Sequence, residues 1–132
     1  MSLQVGKAIY TILQNDEAVV AKVQNKIFPL IADVDTTFPF IVYKRTGVEA
    51  ADTKDRFIYN EDTYVEVVIA SDKYVESIEL ADLIKSALVG KRGNYSGIDI
   101  YDTRMTNADE DYIEDTFTQT LTFNIKTNGK RN

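Results

Sequence analysis

Residues 112–126 constrain this chain more than any other stretch, because their alternation of apolar and polar side chains is sustained. Ile113, Phe117, Leu121, Phe123 and Ile125 fall on one parity with Asp115 and Gln119, and Glu114, Thr116, Thr118, Thr120, Thr122, Asn124 and Lys126 fall on the other. Side chains of a strand point alternately to its two faces, so this pattern predicts a strand with an apolar inner face. Its Thr-rich face then suits solvent or a polar surface. Residues 98–106 read as its partner strand, with Asn107 to Asp111 as the turn.

The other strong signal is a helix from about 72 to 89. Asp72 is a suitable N-cap, Glu76 and Glu79 sit early, Lys85 sits late and Gly90 follows as a stop. Ile78, Ala81, Ile84 and Leu88, joined by Leu80 and Ala87, form its apolar face. Residues 3–14 read as an N-terminal helix, with a short helical stretch at 16–23 capped by Asp16. Lys26-Ile27-Phe28-Pro29 reads as a short edge strand, since Pro29 has no amide to donate. Phe38 to Tyr43 reads as a buried or half-buried strand. Gly47 to Asp55 reads as the end of a hairpin leading into an alternating strand within 57–70. There Val65, Val67 and Ile69 share one face, yet Tyr64 and Val68 make the other partly apolar, so that face is expected to be covered or to lie at a subunit contact. Strands broken by single helices give an α+β fold: a mixed, mainly antiparallel sheet with the 72–89 helix and the N-terminal helix packed on it. A chain of 132 residues fits one domain, 1–132, with 127–132 as a loose tail.

Composition narrows the chemistry. There is no Cys and no His, which removes disulfides, thiolate or imidazole metal sites and the usual nucleophile–base pairs. The net charge of −6 comes with no run of cations, which argues against specific nucleic-acid binding and against an anionic membrane as partner. No apolar run reaches the length of a membrane span, and the N-terminus shows no signal-peptide pattern.

Three constellations remain. Asp109-Glu110-Asp111 offers oxygens to a hard cation, but its spacing is not that of an EF-hand, and a charged hairpin tip explains it. Gly90-Lys91-Arg92-Gly93 follows a helix instead of preceding one, so its cations suit a helix C-terminus better than a phosphate loop. Asp52, Asp55, Glu61 and Asp62 include carboxylate pairs of the kind used in acid–base catalysis, or they solvate a hairpin. The eight tyrosines, set among acidic residues, suit protein contacts better than base stacking. No cofactor and no metal is expected, and the chain reads as a non-enzyme.

From about Lys7 to Thr127 the sequence resembles the tail completion, or tail terminator, family of long-tailed bacteriophages and prophages. The resemblance rests on Ala8 to Asp16 as an N-terminal helix with a polar break, Lys26 to Pro29 as a short strand ending in proline, Phe38 to Tyr43 as a proline followed by an apolar strand, and Ala81 to Leu88 within a long helix, with Lys91 to Gly97 as the loop after it. It implies a structural protein that forms a ring with copies of itself, a hexamer in the assembled tail. The ring ends the tail tube and joins it to the head–tail connector protein. It also implies residence in the host bacterial cytoplasm during assembly and then in the virion tail. The tail tube protein and the connector are the implied partners. The candidate assembly residues are Asp52, Asp55, Tyr64, Val68, Asp109 and Asp111. A non-viral protein-binding adaptor is the alternative reading, and a carboxylate- or metal-dependent hydrolase the third.

Overall fold

A computed structural model describes residues 2–50 and 60–128. After a single 3-10 turn at Ser2–Gln4, the elements are α1 (Val5–Gln14), α2 (Glu17–Val23), β1 (Ile27–Pro29), β2 (Phe40–Ala50), β3 (Asn60–Ser71), α3 (Tyr74–Leu88), β4 (Gly93–Tyr95), β5 (Ile98–Ile113) and β6 (Thr116–Asn128). The strands form one six-stranded sheet in the order β1-β2-β3-β6-β5-β4. β1 runs parallel to β2 and every other pairing is antiparallel, so the expected mixed, mainly antiparallel sheet is present.

All three α-helices lie on one face of the sheet. Val5, Ile9, Ile12 and Leu13 of α1, Val19 and Val23 of α2, and Leu80, Ile84 and Leu88 of α3 join one core. The strands contribute Ile41, Val65, Val67, Ile69, Leu121, Phe123 and Ile125 to the same core. The parity read from the sequence is therefore the parity of the fold. Asp16 caps α2 as expected, its Oδ1 accepting from the Val19 amide at 3.1 Å.

The helix and hairpin boundaries differ from the sequence reading in informative ways. Lys73, not Asp72, is the N-cap of α3 and offers no side-chain acceptor. Ser71 Oγ instead accepts from the Lys73 amide at 3.0 Å and donates to Glu76 Oε1 at 2.7 Å, tying strand to helix. Ile78, expected in the apolar face, is 37% exposed, and Ser77 is buried beside it. Leu80, Ala81, Ile84, Ala87 and Leu88 form the buried stripe as expected, and only its N-terminal end differs, with Ser77 in the place of Ile78.

The turn expected at Asn107–Asp111 is not there. β5 continues to Ile113, and the chain reverses at Glu114 and Asp115, whose φ values are 51° and 61°. Positive φ at both central residues is what a tight two-residue hairpin requires. Asp115 is accordingly a turn residue, and Ile113, expected inside, is exposed. The stretch expected as a loop between Lys91 and Gly97 contains β4. β2 extends through Gly47 to Ala50, beyond the expected start of the hairpin end. β6 runs to Asn128, so Thr127, placed at the start of a loose tail, is buried and paired with Glu61.

A graded sheet face as candidate assembly surface

The sheet's second face carries no helix among the described residues. Strand register sets what it displays. Phe28, Val42, Val68, Thr120 and Asp109 lie side by side across five strands. The next row is Phe40, Ala70, Thr118 and Asp111, and on the other side lies Lys44, Glu66, Thr122 and Asn107. In the first two rows the face is thus graded, apolar over β1–β3, threonine-lined over β6 and acidic over β5, while the third row is polar or charged throughout. Phe38 stacks on Phe40 at 5.7 Å, and Phe28 meets Phe40 edge-on at 6.5 Å, which fixes the apolar end.

Four of the six candidate residues, Tyr64, Val68, Asp109 and Asp111, project from this one face. Asp109 and Asp111 do so from within a strand, not from a turn. Asp52 and Asp55 lie outside the described residues. Tyr64 stands in the row with Gly47, Asn124 and Arg104. Burial, then the charges of Glu49 and Asp62, raise its phenol pKa, and Glu49 also accepts its hydrogen bond. Lys126 Nζ pairs with Asp62 Oδ1 at 2.8 Å on the same face.

The strand also dissolves the acidic triad as a metal site. Glu110 points to the opposite face from Asp109 and Asp111. There Tyr74 of α3 donates to its Oε1 at 3.0 Å and Gln119 Nε2 donates to its Oε2 at 2.9 Å. These donors, Gln119 foremost, hold the Glu110 carboxyl below its ordinary pKa. Around them Tyr74 and Tyr112 pack on Phe117 at 5.7 and 4.6 Å, lining a shallow cleft of about 190 Å³ at the hairpin's end. No signal in the sequence marked this cluster, because its members are scattered and polar. The Glu61–Asp62 pair is split the same way, since neighbours on a strand face opposite sides. A larger cleft of about 500 Å³, between α1 and the sheet, is lined by Gly6, Lys7, Tyr10, Thr11, Pro29, Tyr43 and Ser96. No carboxylate lines it, so it lends nothing to the hydrolase reading. Among the described residues no helix is long and apolar enough to cross a membrane.

A small α+β unit with one sheet face packed and the other presented, half apolar and half charged, has the build of an assembly subunit. The chain belongs to the family described as tail completion protein gp17, which it matches over residues 7–128. Among solved structures, a chain of the virion of a native gene transfer agent particle has the same fold, with a TM-score of 0.77 at 17% identity over 92% of each chain. A second solved chain aligns with a TM-score of 0.59 at 12% identity, over 95% of this chain and 96% of its own. None of the curated proteins matches. Family membership supports a structural role in a phage tail, in assembly with other virion proteins.

Proposed function

We propose that this protein is a non-enzymatic tail completion subunit that closes into a ring, a hexamer in the assembled tail, ending the tail tube and joining it to the head connector protein. The observation that carries the reading is the family match over nearly the whole chain. Tyr64, Val68, Asp109 and Asp111 belong to its assembly surface, and Asp52 and Asp55 are proposed as further contacts near the β2–β3 connection. A graded face suits a protein that meets more than one partner, since an apolar half and an acidic half select different surfaces. On this reading the protein works as a one-domain unit, first in the host bacterial cytoplasm and then in the virion tail. Deleting the gene from an inducible prophage and imaging the lysate by electron microscopy tests it. Overlong tails, or tails detached from heads, are the expected result. Normal infectious particles would overturn the reading in favour of a non-viral adaptor.

A further inference from the structure

Each short outer strand protects only the beginning of its long neighbour. β1 pairs with Ile41–Tyr43 of β2, and β4 pairs with Ile98–Ile100 of β5. Thr103 is engaged further along, its carbonyl accepting from the Gly90 amide at 2.9 Å. Beyond these points, among the described residues, Lys44–Ala50 of β2 and Arg104–Ile113 of β5 each have a strand on one side only. Such edges present unpaired amides and carbonyls and are templates for another strand.

The two free edges differ in charge. The β2 stretch opens with Lys44 and Arg45, whose guanidinium donates to the Leu3 carbonyl at 2.7 Å, and holds Glu49 further on; the β5 stretch opens with Arg104 and then carries Asp109, Glu110 and Asp111. Neither Lys44 nor Asp109 has an ion-pair partner among the described residues, although Lys126 and Asp62 do pair. Lys44 at the start of the free β2 stretch and Asp109 and Asp111 near the end of the free β5 stretch are opposite in sign and exposed. Like charges across a strand pair are destabilising and opposite charges stabilising.

We propose that the two edges pair with each other between copies: the free edge of β2 in one copy adds to the free edge of β5 in the next. This deepens the ring reading above and rests on it. β2 runs antiparallel to β5 within the sheet, and rotation from copy to copy preserves that sense, so the joint is an antiparallel ladder. The contact is heterologous, which is the type that generates rings when the rotation closes. β1 occupies the first part of the β2 edge, so the ladder is staggered toward the β5–β6 turn. Stagger of this kind accompanies the strand tilt of closed sheets. It brings Lys44 opposite or diagonal to Asp109 and Asp111, on the same face of the joined sheet.

The chain has no cysteine, so introduced thiols report cleanly. Lys44→Cys combined with Asp109→Cys, or with Asp111→Cys, is oxidised at high protein concentration and run on a non-reducing gel. A ladder extending beyond dimer is expected from at least one double variant. Each single variant stays monomeric, and so does a control pair, Lys22→Cys with Asp82→Cys, on α2 and α3. No ladder from either double variant, or an equal ladder from the control, overturns the edge pairing. Sedimentation of the cysteine-free chain, alone and with tail tubes, separates the two failures. Rings without the cross-link leave the ring reading standing and remove only this joint, whereas no assembly in either condition removes both. A second measurement is independent of thiols: Lys44→Glu and Asp111→Lys each weaken self-association several-fold, and the Lys44→Glu/Asp111→Lys double variant, which carries the swapped pair at every joint, restores it. Failure of the charge swap to restore association counts against the joint.

Discussion

The two faces of the β3–β6 ribbon share one backbone and one ladder, yet they have opposite fates. The inner face holds Val65, Val67, Ile69, Leu121, Phe123 and Ile125, all buried against the helices. One residue away, Glu66, Val68, Thr120 and Thr122 are only half-buried and face no helix. The hydrogen-bonded ladder is common to both, so at these positions what separates core from surface is side-chain parity. It follows that a substitution should act on folding at one parity and on assembly at the other.

The sharpest way to break that contrast is a charge at adjacent positions. Leu121→Asp puts an unpaired carboxylate in the core, and the cost of such burial is comparable with the whole stability of a small domain, about 5–15 kcal/mol. The variant should be unfolded in far-UV circular dichroism. Thr120→Asp should keep a cooperative melt near that of the unaltered chain. Equal losses from the two would refute the assigned register.

A milder version uses truncation. Phe123 is fully buried, and Phe123→Ala should cost about 3–5 kcal/mol by urea denaturation. Thr122→Ala, on the other parity, should stay within about 0.5 kcal/mol.

The hairpin end sharpens the comparison further, because there the inner face meets α3 through hydrogen bonds and aromatic contacts instead of an aliphatic core. Glu110 has a folded-state pKa below its ordinary value, through Gln119 first and Tyr74 second. A carboxylate of this kind contributes stability that is complete above its unfolded pKa and is lost as pH falls through the folded one. Glu110→Gln should therefore lower the Tm slightly at neutral pH, and the gap to the unaltered chain should close on acidification. A gap that stays constant into the acid range would mean that the Tyr74–Glu110–Gln119 cluster does not hold the hairpin to α3.

The smallest stability effect is expected on the acidic part of the outer face. Asp109→Lys with Asp111→Lys should leave the Tm within a degree or two, since both side chains are exposed. The same double change should abolish tail completion in a complementation assay. Charge reversal at Asp52 and Asp55 together is expected to impair assembly in the same way, without a change in Tm. A large Tm loss in either case would place these residues in the fold and not in the assembly surface.

Much of this architecture was legible in the residues. The alternation around Leu121 and Phe123, the helical period from Leu80 to Leu88, and the proline ending β1 each follow from a local rule of backbone geometry. Tyr64 and Val68 are candidates because the second face of β3 is partly apolar, and Asp109 and Asp111 because the sequence places a turn there. That they share one sheet face was not legible, because it depends on the order β3-β6-β5, in which strands distant in sequence become neighbours. The Glu110 cluster was invisible for the same reason, as it joins α3, β5 and β6.

The sequence by itself determined which parity of the long strands and which side of α3 face the core, since a period of two or of 3.6 is a property of the chain and needs no partner to be read. Only the tertiary structure decided where the last hairpin turns. Asn107–Asp111 carries turn-favouring polar residues, yet all five are exposed within the strand, where Asp109 and Asp111 meet solvent and Glu110 is held by Tyr74 of α3 and by Gln119, so charge is tolerated there. Freed from the need to bury that stretch, the chain carries the ladder on to Glu114 and Asp115, and so places Asp109 and Asp111 on an exposed sheet edge instead of at a loop tip.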